Sequence, residues 1–269
     1  MYPPGGISMF PRESVLGLVA VGLAGVLLFG ANPILVRLQE DLSLFLMPTA
    51  ERSYSYGERH FGSQYSVSYD LERALYFFKE TLRRDSNHPL AYHQLARIAF
   101  LQGDFARALR LIEIQIRYHP GATISSYYVK ALIEGYMGEY EASARDYQVF
   151  LSSHPTNWAA LNDYAWVLLK AERAHEAVVA TARGLSFFPD NPWLLNTNAI
   201  ALHEIGYTEA ARDQARKAVQ AAKTITEQDW LQAYPGNDAK IAQEGIRALQ
   251  EFVRANMHTI LVASREGGV

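Results

Sequence analysis

Residues 154–165 read HPTNWAALNDYA, and residues 188–199 read FPDNPWLLNTNA. Five of the twelve positions agree (Pro155/Pro189, Asn157/Asn191, Leu161/Leu195, Asn162/Asn196 and Ala165/Ala199), and every pair is 34 residues apart. A fixed period in this range marks a solenoid, in which each unit buries its apolar face only against its neighbours. Units starting at Pro89, Ile124, Trp158 and Pro192 extend the echo, with spacings of 35, 34 and 34.

Within those units the physical logic is visible. The eighth position holds Ala96, Ala131, Ala165 and Ala199, and the twentieth holds Ala108, Ser143, Ala177 and Ala211, with Ala74 one unit earlier. Small side chains at both places let two helices approach to about 8–10 Å. The fourth position carries Tyr92, Tyr127, Leu161 and Leu195. Gly103, Gly138 and Gly206 lie where a left-handed residue would end a helix, although Glu172 takes that place in one unit. Pro120, Pro155 and Pro189 stop each second helix, because proline cannot continue the hydrogen-bond ladder. Asp, Asn or Thr beside these prolines suits the start of the next helix.

This pattern resembles the tetratricopeptide repeat (TPR), a helix–turn–helix unit of about 34 residues. The likeness is strong over residues 89–222 and partial for one unit before them, where 70–82 reads as a second helix and 55–68 as a degenerate first one. It implies an all-α fold, a right-handed α-solenoid of TPR helix pairs over 69–222. Lys223 replaces the closing proline of the last unit, so its second helix is expected to run to about Thr224. After a Pro-Gly-Asn break (235–237), Asp238 can cap a helix to about Ala263, whose Ile241, Ile246, Leu249, Phe252 and Val253 would cover the end of the array. Residues 223–269 thus read as a C-terminal capping helix and tail.

Upstream, Ser14 to Val36 is 23 residues without a charge, thirteen of them Leu, Ile, Val or Phe. As a helix it would span roughly 35 Å, enough for a hydrocarbon core of about 30 Å. The run is longer than a leader's apolar core, and bulky Phe29 sits three positions before the best cleavage point. These features favour an uncleaved N-terminal transmembrane helix over 14–36, behind a flexible tail over 1–13. Arg12 precedes the span while Arg37 and Arg52 follow it. A single-pass protein with its array on the extracytoplasmic side is the expectation. Residues 37–68 read as a juxtamembrane amphipathic segment and linker, with Leu38, Leu42, Phe45 and Leu46 at helical spacing.

The 269 residues carry a net charge of -3 and no cysteine. Nucleic acid, which favours a basic footprint, is not an expected partner, and disulfides and thiolate chemistry are excluded. His175-Glu176 and His203-Glu204 begin like HExxH, but Val179 and Tyr207 stand where the second His is required. His88, His119 and His154 recur one per unit, about a helix-packing distance apart and too far to share a metal. No catalytic residues, cofactor or metal are expected, so the chain does not read as an enzyme.

Recognition remains. The resemblance implies that the first helices of the units line a concave groove that binds a protein or peptide partner. Its candidate groove residues are His93, Arg97, Tyr128, Tyr136, Asn162, Trp166, Asn196 and His203, accompanied by Leu132, Lys170 and Trp193. The packing logic does not require Asn162 and Asn196, which makes them the foremost candidates for main-chain hydrogen bonds to a partner. The expected function is a membrane-tethered, non-catalytic interaction scaffold. A chaperone-like or targeting component of secretion, pilus or envelope biogenesis, and a non-catalytic subunit of a membrane enzyme complex, are the alternatives.

Overall fold

The computed structural model describes residues 33–62, 69–120 and 124–266. Among them are thirteen α-helices, one 3-10 turn and no strand. Helix α1 (Pro33–Leu46) is followed by five antiparallel pairs: α2 (Ala50–Phe61) with α3 (Leu71–Arg84), α4 (Ala91–Leu101) with α5 (Phe105–Tyr118), α6 (Ile124–Met137) with α7 (Tyr140–Ser153), α8 (Trp158–Lys170) with α9 (Ala174–Phe187), and α10 (Pro192–Glu204) with α11 (Thr208–Ala222). A short α12 (Glu227–Ala233) and a long α13 (Ala242–Glu266) complete the chain.

The repeat punctuation does what the spacing predicts. Ala74, Ala96, Ala108, Ala131, Ser143, Ala165, Ala177, Ala199 and Ala211 are all buried at helix crossings. Ser143 is tolerated there because its hydroxyl donates to the Ala131 carbonyl at 2.6 Å. Asn157 and Asn191 are N-caps, accepting from the amides of Ala160 at 2.9 Å and Leu194 at 3.0 Å. Gly103, Gly138 and Gly206 adopt φ of 75°, 85° and 82°, and Glu172 matches them at 60°. A side chain in that region costs about 1–2 kcal/mol. Successive first helices also approach one another, α4 to α6, α6 to α8, α8 to α10 and α10 to α13, so the array curves with these helices inside.

Several expectations are corrected. The linker read over 48–68 contains α2, started by Thr49, whose hydroxyl accepts from the Arg52 amide at 3.2 Å. The array therefore begins near Ala50, and its first helix is fully formed earlier than 55–68 implied. Gly57 takes the small-residue role, since a Cβ there would lie 2.5 Å from the Phe78 ring. The last second helix ends at Ala222 rather than Thr224. Asp238 does act as a cap, but of a 3-10 turn over Ala239–Ile241 that leads directly into α13. Of the expected apolar stripe, Ile246, Leu249 and Val253 of α13 are buried, but Phe252 of α13 and Ile241 of the 3-10 turn are exposed. Residues 14–32 of the expected membrane helix lie outside the described residues. Among the described residues no helix is long and apolar enough to cross a membrane.

Candidate partner-binding groove

The fifth position of each unit faces the next unit instead of the open groove. Glu58 of α2 accepts from Gln94 of α4 at 2.5 Å, and the His93 ring is 2.9 Å from the Ser126 hydroxyl of α6. Tyr128 donates to Asp163 of α8 at 2.7 Å. Asn162 accepts from Thr197 of α10 at 2.8 Å, and Asn196 accepts from Asn256 of α13 at 3.0 Å. At least one side-chain hydrogen bond therefore ties each inner helix to its successor, from the first unit to the closing helix.

Burial strengthens this ladder. Asn196 is only 5 % exposed, and its carboxamide oxygen is engaged by Asn256 of α13 rather than turned to the open groove. Asn162 is half-buried between its neighbour Asp163 and Thr197. His93 also donates its backbone amide to Gln115, which in turn holds the Pro89 carbonyl. Burial lowers the His93 pKa to about 4, and the nearby Arg97 charge acts in the same direction. Burial raises Asp163 to about 6, against the hydrogen bonds from Tyr128 and Asn162 that lower it. Tyr128 is pushed well above its usual range by burial and then by the Asp163 charge.

A second surprise lies across the groove. The segment running from α12 through Gly236 crosses the inner face and returns to the first two units. Trp193 donates from Nε1 to the Tyr234 hydroxyl at 2.9 Å, and its ring packs on Trp158 at 5.2 Å. Arg97 donates to the Pro235 carbonyl at 3.1 Å, while its guanidinium sits 4.5 Å over the Phe61 ring. Tyr69 donates to the Gly236 carbonyl at 2.7 Å. Gly236 has φ 96°, and a Cβ there would stand 3.0 Å from Arg97 and 3.2 Å from Phe61. This arm occupies the groove from α10 back to α2. Beside it an open cleft of about 350 Å³ is lined by Glu58, Phe61, Arg97, Leu231 and Pro235, among others.

What stays open is the rim at the C-terminal ends of the inner helices. Tyr136 is 59 % exposed and Trp166 39 %. Their rings lie 6.4 Å apart, Phe100 packs edge-on against Tyr136 at 5.0 Å, and Tyr140 packs edge-on against Trp166 at 6.2 Å. The Lys170 ammonium stands 5.8 Å over Trp166. Tyr136, Trp166 and Lys170 are thus brought together, while His93, Tyr128, Asn162 and Asn196 serve the ladder and Arg97 and Trp193 hold the arm. Leu132 is half-buried, as is His203, whose Nδ1 is buried without a hydrogen-bond partner. Sequence reasoning missed Asp163, Thr197, Asn256 and Tyr234. For Asp163 and Thr197 a signal existed, since they occupy the same sixth position of consecutive units. Among the described residues no cluster of His, Asp and Glu is arranged to hold a metal.

No family model matches the chain, and no curated protein does. Solved structures do. MamA residues 41-end from Desulfovibrio magneticus RS-1 aligns with TM-score 0.58 at 15% identity, over 65% of this chain and 96% of that one. YrrB, a TPR protein with an unusual peptide-binding site, aligns with TM-score 0.57 at 16% identity, over 69% of this chain and 93% of that one. The chain shares the fold of these helical-repeat arrays. At such identity the likeness carries the architecture alone.

Proposed function

We propose that this protein is a non-catalytic interaction scaffold, tethered to a membrane by residues 14–36, that holds a segment of a partner protein along the rim of Tyr136, Trp166 and Lys170. The single observation behind this reading is the distribution of satisfied and unsatisfied surface on the inner helices. Polar groups at the fifth positions are paired within the chain, and the arm crosses the inner face from α10 back to α2. The Tyr136 and Trp166 rings of two consecutive units are left facing solvent, with the half-buried Phe100 bracing Tyr136 from below. Exposed, mutually braced aromatic side chains are what binding hot spots are made of. The peptide site of YrrB, on a similar array, supports the same reading.

The test is partner recovery from native membranes by the full chain, with Tyr136→Ala and Trp166→Ala combined against Val179→Ala on an exposed outer position. A single stoichiometric partner lost only in the first variant is the expected result. Undiminished recovery would remove the rim assignment. Many weakly held clients would favour the chaperone-like alternative.

A further inference from the structure

Helix α1 is docked the wrong way round for a helix whose environment is only water and the array. Amphipathic helices of globular proteins turn their apolar stripe inward. Here the inward face carries Leu44 but is centred on Glu40, 1 % exposed, which is held by the His60 ring at 2.9 Å and by Arg59 and Arg73. Asp41 pairs with Arg73 at 2.6 Å and Arg37 with Asp70 at 2.5 Å. Outward lie Leu35, Leu38, Leu42, Phe45 and Leu46, with Leu38 at 59 % and Phe45 at 82 % exposure. At about 100° per residue these five fall within an arc of roughly 100°. The docked residues Val36, Glu40, Ser43 and Leu44 fall on the opposite side.

We infer that the apolar face of α1 lies in the interfacial layer of the same bilayer that residues 14–36 enter, which rests on the tether proposed above. Chain continuity names this occupant. The uncharged run ends at Val36, already inside α1, and a helix from there to Phe45 covers only about 14 Å. The exposed stripe therefore cannot leave the vicinity of the membrane wherever the run is inserted. A polar helix face locked to the first unit and an apolar face sunk among headgroups is the geometry of an interfacial anchor. Because the ion pairs join α1 to α2 and α3, the contact also fixes the tilt of the array over the membrane. A flexible linker would leave it free.

The chain contains no cysteine, so single labels report cleanly. The full chain carrying Leu38→Cys, Leu42→Cys or Phe45→Cys, spin-labelled and placed in phosphatidylcholine–phosphatidylglycerol nanodiscs, is compared with Val149→Cys on the exposed surface of α7. Labels at 38, 42 and 45 should collide several-fold more with oxygen and several-fold less with an aqueous nickel chelate than the label at 149. Incorporation with equal nickel access at all four positions overturns the interfacial face while leaving the tether standing. Protection that disappears when empty nanodiscs dilute the protein assigns the face to a second copy and overturns it too. Failure of the chain to enter nanodiscs overturns the tether and this inference together.

Discussion

The carboxamide oxygen of Asn162 accepts a hydrogen bond from the Thr197 hydroxyl, 2.8 Å away on the next inner helix. Its counterpart 34 residues later, Asn196, makes the equivalent contact to Asn256 on the closing helix. The repeated asparagines hold the register of the array.

The Asn162–Thr197 bond should be measurable as a coupling. A part-buried hydrogen bond contributes about 0.5–1.5 kcal/mol. In urea unfolding, Asn162→Ala and Thr197→Val should each destabilise, and their double-mutant cycle should return a coupling near 1 kcal/mol. A coupling of zero would mean the two side chains act independently.

Glu172 offers the opposite experiment. It holds φ 60° where three other units use glycine, and the strain is of order 1 kcal/mol. Glu172→Gly should therefore raise the melting temperature by a few degrees, while Gly138→Ala should lower it comparably. Unchanged melting in both would show that the turn relaxes at no cost.

The ladder's titrating members pull in opposite directions with pH. Asp163 has a folded pKa of about 6, raised by burial from 3.8. Between those values the folded chain holds a proton that the unfolded chain releases, so this group's contribution falls as pH rises and is gone above about 6. His93, lowered from 6.5 to about 4 by burial, binds its proton more readily when unfolded, so its contribution is lost as pH falls through that window. Relative to wild type, Asp163→Asn should gain stability as pH climbs from 4 to 7. His93→Gln should gain it as pH drops from 7 to 4. Thermal melts across this range check both, and parallel curves for all three proteins would contradict the assignments.

The arm is held to the inner face by hydrogen bonds from Tyr69, Arg97 and Trp193 and should be separable from the array. Gly236→Val combines a backbone at φ 96° with collision against Arg97 and Phe61, and Tyr234→Phe removes the bond from Trp193. Both should speed amide exchange in residues 227–238 at least several-fold, with little change in α6 to α9. Exchange that accelerates uniformly would show instead that arm and array unfold as one body.

Much of the fold is legible in the sequence. Alanine or serine at the eighth and twentieth positions, proline at the boundaries and glycine at the turns are local or nearest-neighbour requirements, and each leaves one residue type at one spacing. Asn157 and Asn191 are N-caps for the same reason. The site is less legible. A polar residue on the inner side of a helix looks identical whether its partner is a ligand or the next unit, and the answer depends on atoms 33 to 60 positions away. Composition also hides α2, because its Ser-, Tyr- and Gly-rich text becomes a helix only through the Thr49 cap and the fit of Phe78 against Gly57.

By itself, then, the sequence determined the helix pairs over 89–222 and the period of the array, because both depend on interactions within about one repeat. Only the tertiary structure decided which inner-face side chains remain free. That choice is made by contacts between distant segments, Arg97 with Pro235 across 138 residues and Tyr69 with Gly236 across 167, which no periodicity records.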